Sequence, residues 1–245
     1  MTYRRILDRN RRWVEDTRRA DPDFFARLAA EHKPQFLFIG CSDARVPANV
    51  ITQTPAGEMF VHRNIANLVV PTDNNLLAVL EYAIDALRVT DVFVCGHFGC
   101  GGVKAAMATA NLPHVDNWLS NIRTVARLHA GELDAIADPE RRYRRLVELN
   151  VVEQVYNLSR VPCVQAAWAR GTELRLHGWV YDIAEGLLRD LGVALPGTPA
   201  GPERVPSRRD RRDRRDRRDR RDRRARSVAQ PAQRRVALVD GGGGA

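Results

Sequence analysis

Two short segments of this 245-residue chain carry side chains able to hold a metal or move a proton. The first is Cys41-Ser42-Asp43-Ala44-Arg45, and the second is His97-Phe98-Gly99-Cys100-Gly101-Gly102. Cys41, His97 and Cys100 together offer two thiolates and one imidazole, a soft, nitrogen-containing set suited to Zn²⁺. Three protein ligands leave the fourth tetrahedral position for water, the arrangement of a catalytic zinc rather than a structural one. Asp43 is close enough to Cys41 in sequence to take that position itself or to hydrogen-bond a water there. Arg45 can ionise and fix Asp43 through a bidentate pair. Cysteine is also a common buried apolar residue, and a histidine after a strand is often only a satisfied polar group. Ligand chemistry alone therefore leaves both a metal site and ordinary core packing open. A zinc finger is disfavoured, because the candidate ligands fall in two groups more than fifty residues apart. Cys95 lies in an apolar run and Cys163 follows Pro162 near another; both read as core. His62, His114, His129 and His177 read as ordinary satisfied histidines.

The elements that must position these segments are legible from periodicity. Gln35 to Ile39 is a compact apolar run ended by Gly40, which predicts a buried strand leading into the first segment. Asp91 to Cys95 predicts another, leading into the second. Met59 to Val61 predicts a further strand, and Leu174 to Val180 alternates as a half-exposed one. Helices are expected over 3–19, 24–30, 73–87 with Asp73 as N-cap, 101–110, 116–130 and 139–158. Strands alternating with helices predict an α/β fold, a mixed sheet with a parallel core flanked by helices. Sites in such sheets form at the carboxyl ends of strands, so both segments are expected to meet in one crevice. The first helix carries Ile6, Trp13 and Val14 among many charges, and a helix of that kind needs a partner surface. It is expected to reach onto a second copy of the chain, giving a homodimer or a tetramer built from dimers.

Net charge is +9, yet it is local. Residues 208–226 hold 13 Arg against 5 Asp in Arg-Arg-Asp repeats, and residues 1–207 are close to neutral. The Pro/Gly-rich stretch 196–206 marks the end of the folded part. The expected organisation is a domain over 1–200, with an N-terminal helical arm at 1–32, and a disordered Arg/Asp-rich tail at 201–245. Nucleic-acid contact through the tail would be nonspecific and salt-dependent. The Asp at every third position weakens it as the main role. No run approaches the ~20 apolar residues of a membrane span, and the charged start lacks a signal peptide's apolar region. These features predict a cytoplasmic protein with reduced thiols.

Three strings in order, CSDAR at 41–45, HRNIANLV at 62–69 and CGHFGCGG at 95–102, resemble the β-class carbonic anhydrases. The likeness runs to about residue 195 and includes ELNVVEQVYNL at 148–158 and HGWVYDIAEGLLRDL at 177–191. With Val46-Pro47 after the first string, it is nearest the bacterial branch that has bicarbonate-regulated (type II) members. The resemblance implies one Zn²⁺ per subunit on Cys41, His97 and Cys100. It also implies reversible hydration of carbon dioxide to bicarbonate by hydroxide formed at the zinc. Asp43 and Arg45 match a catalytic dyad in which Asp43 alternates between Arg45 and the metal, opening and closing the site. Phe60 and Tyr82 match apolar substrate-pocket positions, Tyr82 coming from a neighbouring subunit, and the helix start at Gly101 and Gly102 would offer N–H groups to a substrate oxygen. Relatives that hydrolyse CS₂ or COS on nearly the same ligands keep that chemistry as the alternative. Two departures stand out. His32 replaces a substrate-bonding Gln, and could donate a similar bond, shuttle a proton or face solvent. Phe38 replaces a Trp that, with residues matching Arg63 and Tyr181, binds an inhibitory bicarbonate. Phe keeps the bulk but loses the N–H donor, so that effector site is expected to be weakened, not abolished.

Overall fold

A computed structural model describes residues 3–108, 112–193 and 195. Two helices come first, α1 (Arg4–Ala20) and α2 (Phe24–Ala30). The remaining elements are β1 (Phe36–Cys41), α3 (Ala48–Thr52), β2 (Met59–Asn64), α4 (Asn74–Glu81), β3 (Asp91–His97), α5 (Gly101–Ala106), α6 (Pro113–Leu128), α7 (Ala130–Asp134), α8 (Pro139–Ser159), α9 (Pro162–Ala169), β4 (Arg175–Asp182) and β5 (Leu187–Asp190). The sheet order is β2-β1-β3-β4-β5; the first four strands are parallel and β5 is antiparallel to β4. This is the expected mixed sheet with a parallel core.

Alternation along the strands divides the interior between two faces. Leu37, Ile39, Val92, Val94, Leu176 and Val180 point into the larger cluster, which α4, α5, α6, α8 and α9 cover. Phe38, Phe93 and Cys95 point the other way, with Met59 and Ala48. On that second face Phe93 stacks on Trp179 with ring centroids 3.9 Å apart.

Several boundaries differ from the sequence expectation. Gly40 does not end the first strand: it pairs with Arg63 on one side and Cys95 on the other, and the ladder continues to Cys41. Glycine serves here as space, since a Cβ would fall 2.2 Å from Cε1 of the buried Phe38 ring. The helix expected over 73–87 is α4 followed by a wide π-type turn over Tyr82–Ala86, closed by Leu87 N–H donating to Tyr82 O. Asp73 caps α4 as expected, accepting from the N–H groups of Asn75 and Leu76. The segment after Cys100 is helical to Ala106, and residues 109–111 lie outside the described residues. The helix expected over 116–130 opens earlier, at Pro113, and gives way at His129 to the short α7. Helix α9 and strand β5 have no counterpart in the sequence expectation; β5 is a four-residue, largely exposed edge strand with no alternation to read. The assignment of 201–245 as a tail lies outside the described residues.

The helix α1 has no buried residue, with Ile6 63%, Leu7 52% and Trp13 50% exposed. Its aromatic contacts are within the arm, where Trp13 meets the Phe25 ring edge-on at 5.3 Å and the Phe24 ring at 6.5 Å.

Candidate metal centre

The parallel strands β1 and β3 are neighbours, so their carboxyl ends bring the two segments together. Cys41 is the last residue of β1, His97 the last of β3, and Cys100 sits immediately before α5. Their donor atoms lie within 4.8 Å of one another, all on buried residues. The two sulfurs are 3.9 Å apart. Two thiolates sharing a tetrahedral zinc at ~2.3 Å would be separated by about 3.8 Å, so the spacing fits.

His97 supplies a second sign of fit. Its ring is fully buried, and Nδ1 lies 3.1 Å from the Phe98 carbonyl oxygen. A carbonyl can only accept, so the proton is assigned to Nδ1 and the lone pair to Nε2. Among the described residues, His97 Nε2 is one of two buried side-chain polar atoms without a hydrogen-bond partner. A buried acceptor aimed at two thiols is costly unless something binds it. The hydrogen bond at the other ring nitrogen is the usual support for a metal-bound histidine.

The thiols are themselves unequal. Cys41 is pushed down toward the thiolate, first by its contact with Cys100 and against the effect of burial; the Ala66 N–H, 3.4 Å from the sulfur, acts in the same direction. Cys100 is pushed up by the same pairing and by burial. One negative charge is thus favoured before any cation arrives, and a cation favours the second. Cys95, fully buried on the other face of β3, has its thiol raised to about 12 by burial, as a core cysteine should. Cys163 is partly buried against the main cluster. Of the other histidines, His62 is buried, His129 contacts Glu153 and His177 contacts Asp91, while His114 is simply exposed rather than satisfied within the fold.

Asp43 Oδ2 stands 3.8 Å from His97 Nε2, at the mouth of the donor trio. Arg45 donates to both carboxylate oxygens and through its own backbone N–H. That pairing holds the Asp43 carboxyl well below the usual carboxylate range, despite partial burial. Gly99 adopts φ +80°, which a side chain would resist, and its carbonyl accepts from Arg45 Nη2 at 3.1 Å. The loop carrying His97 and the loop carrying Asp43 are therefore tied through one guanidinium.

Arg63 donates to the carbonyls of Cys41 (2.8 Å) and Asp43 (2.5 Å), bracing the backbone beneath the dyad. Phe38 is fully buried in the second-face cluster, against which Tyr181 packs. Phe60 and Tyr82 of one chain meet at 5.9 Å between ring centroids, and Tyr82 is half exposed. His32 is exposed and lies edge-on to Phe60 at 6.0 Å. Gly101 has open space where a Cβ would go, whereas a Cβ on Gly102 would lie 2.8 Å from Ile65 Cγ2. Missing from the sequence reading are the Ala66 N–H on Cys41 and the α8 side chains behind it. Their only signal there is the 148–158 string, which carries no role of its own.

An open, largely parallel sheet with two thiols and an imidazole converging at its carboxyl edge defines an α/β zinc enzyme. The family model described as carbonic anhydrase matches residues 36–188. A carbonic anhydrase of Emericella nidulans is 46% identical over 204 residues, covering 83% of this chain and 90% of that protein. One from Pseudomonas aeruginosa is 39% identical over 189 residues, covering 75% and 84%. The Emericella protein is the more similar of the two, so the likeness extends beyond a bacterial branch. Among solved structures, a tetrameric β-carbonic anhydrase from Sordaria macrospora superposes with a TM-score of 0.73 at 40% identity, covering 78% of this chain and 96% of that one. The chain belongs to the β-class carbonic anhydrases, zinc enzymes that interconvert carbon dioxide and bicarbonate.

Proposed function

We propose that this enzyme hydrates carbon dioxide at a zinc held by Cys41, His97 and Cys100, with Asp43 as the hydrogen-bond acceptor that orients the nucleophile and Arg45 as its clamp. The observation that carries the reading is the buried, unpartnered Nε2 of His97 facing two thiols, with the Asp43 carboxylate 3.8 Å away. Zinc in such a set supplies a water acidified from ~15.7 toward ~7, available as a nucleophile at neutral pH. Asp43, kept ionised by Arg45, accepts the nucleophile's remaining O–H and so aims a lone pair at the substrate carbon. Arg45 holds Asp43 in one rotamer and, through Gly99, fixes its distance from the His97 loop. A partner chain's Tyr82, together with the Phe60 that it meets in its own chain, would line the path for a nonpolar substrate; the half exposure of Tyr82 supports a role at a subunit boundary. The N–H groups of Gly101 and Gly102 would receive a substrate oxygen. A homodimer joined by the uncovered α1 arm, or a tetramer like the Sordaria enzyme, completes the assembly. All four cysteines are free, in keeping with the reducing cytoplasm. No helix of the described residues is long and apolar enough to cross a membrane.

Stopped-flow CO₂ hydration across pH, with zinc content measured and Cys41→Ala as control, tests this reading. Zinc-dependent hydration that Cys41→Ala abolishes is expected; zinc-loaded protein inactive at every pH would sink it. The mechanism uses nothing from 201–245, so deleting that segment should leave the rate unchanged.

Regulation belongs to the same proposal. Release of Asp43 from Arg45 would free its carboxylate to occupy the donor pocket and close the site. Arg63 supports this reading, because it grips the carbonyls of Cys41 and Asp43, and an anion drawing it away would loosen that backbone. Phe38 lacks the N–H that a Trp would lend such an anion. Bicarbonate inhibition should therefore be weak in the wild type and stronger in Phe38→Trp. No gain in the variant would overturn this part.

A further inference from the structure

The turn after β2 is unusual in its backbone and in what holds it. Ala66 and Asn67 sit at φ +65° and +51°, in the left-handed region that a Cβ disfavours. Such a conformation persists only where the surroundings over-determine it. Side chains do so here at six of its backbone polar groups. Trp118 Nε1 donates to Ile65 O at 2.8 Å, and Asn64 bonds both the N–H and the carbonyl of Leu68. The rest comes from one face of α8. Asn150 Nδ2 donates to Ala66 O at 3.1 Å, Gln154 Oε1 accepts from the Val69 N–H at 2.8 Å, and Asn157 Nδ2 donates to Val69 O at 3.2 Å. The three are spaced i, i+4, i+7 and linked to each other, Gln154 donating to Asn150 Oδ1 and Asn157 to Gln154 Oε1. Asn150 and Gln154 are 1% and 2% exposed, so the ladder is satisfied without solvent. On the far side the turn rests on Gly102.

Another backbone group of the turn serves a different purpose. The Ala66 N–H points at Cys41 Sγ, 3.4 Å away. A hydrogen bond to a thiolate lowers the energy of its lone pairs and favours the anion over the thiol. It also fixes where on the sulfur the remaining lone pairs point. We propose that Asn150, Gln154 and Asn157 are positioning residues for the metal centre, acting through the Ala66 N–H on the Cys41 sulfur. Without the ladder, residues 65–69 relax toward ordinary backbone angles and the N–H swings off the sulfur. The inference rests on Cys41 being a zinc ligand. It assigns a role to the 148–158 string, none of whose residues belongs to the donor trio.

Full-length enzyme carrying Gln154→Met or Asn150→Leu, which keep bulk and remove the ladder bonds, provides the test. Zinc release to a chelator should be about tenfold faster than wild type, the lower end of what lost outer partners cost a metal site. In cobalt(II)-substituted protein the sulfur-to-metal charge-transfer band should move to longer wavelength, because the sulfur lone pairs rise in energy. A ladder that served only the fold would lower thermal stability and leave both readouts alone. Should the buried variants not fold, Asn157→Ala, on a part-buried side chain, carries the same test, with both readouts moving in the same direction by a smaller amount. Folded variants with wild-type release and an unmoved band would overturn the inference while leaving the metal site standing. Wild-type protein that takes up neither zinc nor cobalt would overturn the metal site, and this inference with it.

Discussion

Arg45 grips both oxygens of Asp43 at once, Nε 2.9 Å from Oδ1 and Nη2 2.6 Å from Oδ2, and the same Nη2 reaches the Gly99 carbonyl at 3.1 Å. A planar fork makes this three-way contact, and a lysine ammonium cannot. The Arg45 side chain is 57% exposed, so its value lies in aiming Asp43 more than in raw Coulomb energy. Arg45→Ala should cut the hydration rate by roughly 10²-fold with zinc content unchanged, the size of loss that misplacing an orienting group causes. Arg45→Lys, which keeps the charge, should recover little. Full activity in the lysine variant would show that charge suffices and that the fork is dispensable.

The two glycines after Cys100 separate substrate binding from packing. Gly101 faces open space, so Gly101→Ala should leave stability within ~0.5 kcal/mol of wild type. A fall in kcat/KM there would come from crowding the substrate. In Gly102→Ala the new methyl meets Ile65 Cγ2 at 2.8 Å and Ala66 Cβ at 3.3 Å. Overpacking of that kind costs about 1–3 kcal/mol. Because it also presses the turn that supports Cys41, zinc retention should fall along with thermal stability. Equal behaviour of the two variants would contradict this division.

The sheet and the donor trio are legible in the sequence because both rest on local signals. Apolar runs such as Phe36 to Ile39 mark buried strands, and the donor residues cluster at strand ends. Gly40 reads as a stop in the sequence, since its role depends on the Phe38 ring lying over it, which only the folded sheet shows. The wide turn at Tyr82 is invisible there because 3.6 periodicity survives one extra residue. The α8 ladder escapes for another reason. Asn150, Gln154 and Asn157 are polar residues on a buried face, and the groups they satisfy are 84 to 88 residues away in the chain. No spacing rule reaches that far.

The uncovered arm gives a prediction about assembly. Ile6, Leu7 and Trp13 leave an apolar stripe on α1 exposed to at least half its area, a state that water disfavours. Removing residues 1–20 should shift the protein toward monomer in sedimentation velocity. Activity per bound zinc should fall with it, since Tyr82 is assigned to a neighbouring chain's substrate path. In the full chain, Trp13→Asp should act in the same direction. An unchanged oligomer after truncation would place the subunit contact elsewhere, on the second sheet face around Trp179.

At the amino end of the strands, opposite the metal centre, buried Asp91 opens β3 as the hub of a partly exposed polar cluster. Arg175 donates from Nε to Oδ1 and from Nη2 to Oδ2, each at 2.7 Å; His177 Nε2 lies 2.8 Å from Oδ1, and Thr90 donates to Oδ2. Burial pushes the Asp91 carboxyl up, but Arg175, then His177 and Thr90, more than offset it and bring it to about 2. An unfolded Asp titrates near ~3.9, so the unfolded chain binds the proton more readily. Asp91 therefore contributes stability that is full above the unfolded value and is lost as pH falls through about 2. A shift of this size corresponds to about 2–3 kcal/mol. Asp91→Asn should lower the unfolding free energy by about that amount at pH 7, while Arg175 keeps its second partner, Glu173. The gap from wild type should narrow below pH ~4 and nearly close at pH ~2. Other carboxylates titrate in both proteins, so the difference isolates this one. Hydration per zinc-loaded, folded molecule should be unchanged, because the cluster lies at the far ends of the strands from Cys41 and His97. A gap that stays constant down to pH ~2 would mean that the loss comes from packing around the substituted side chain rather than from the ion pair.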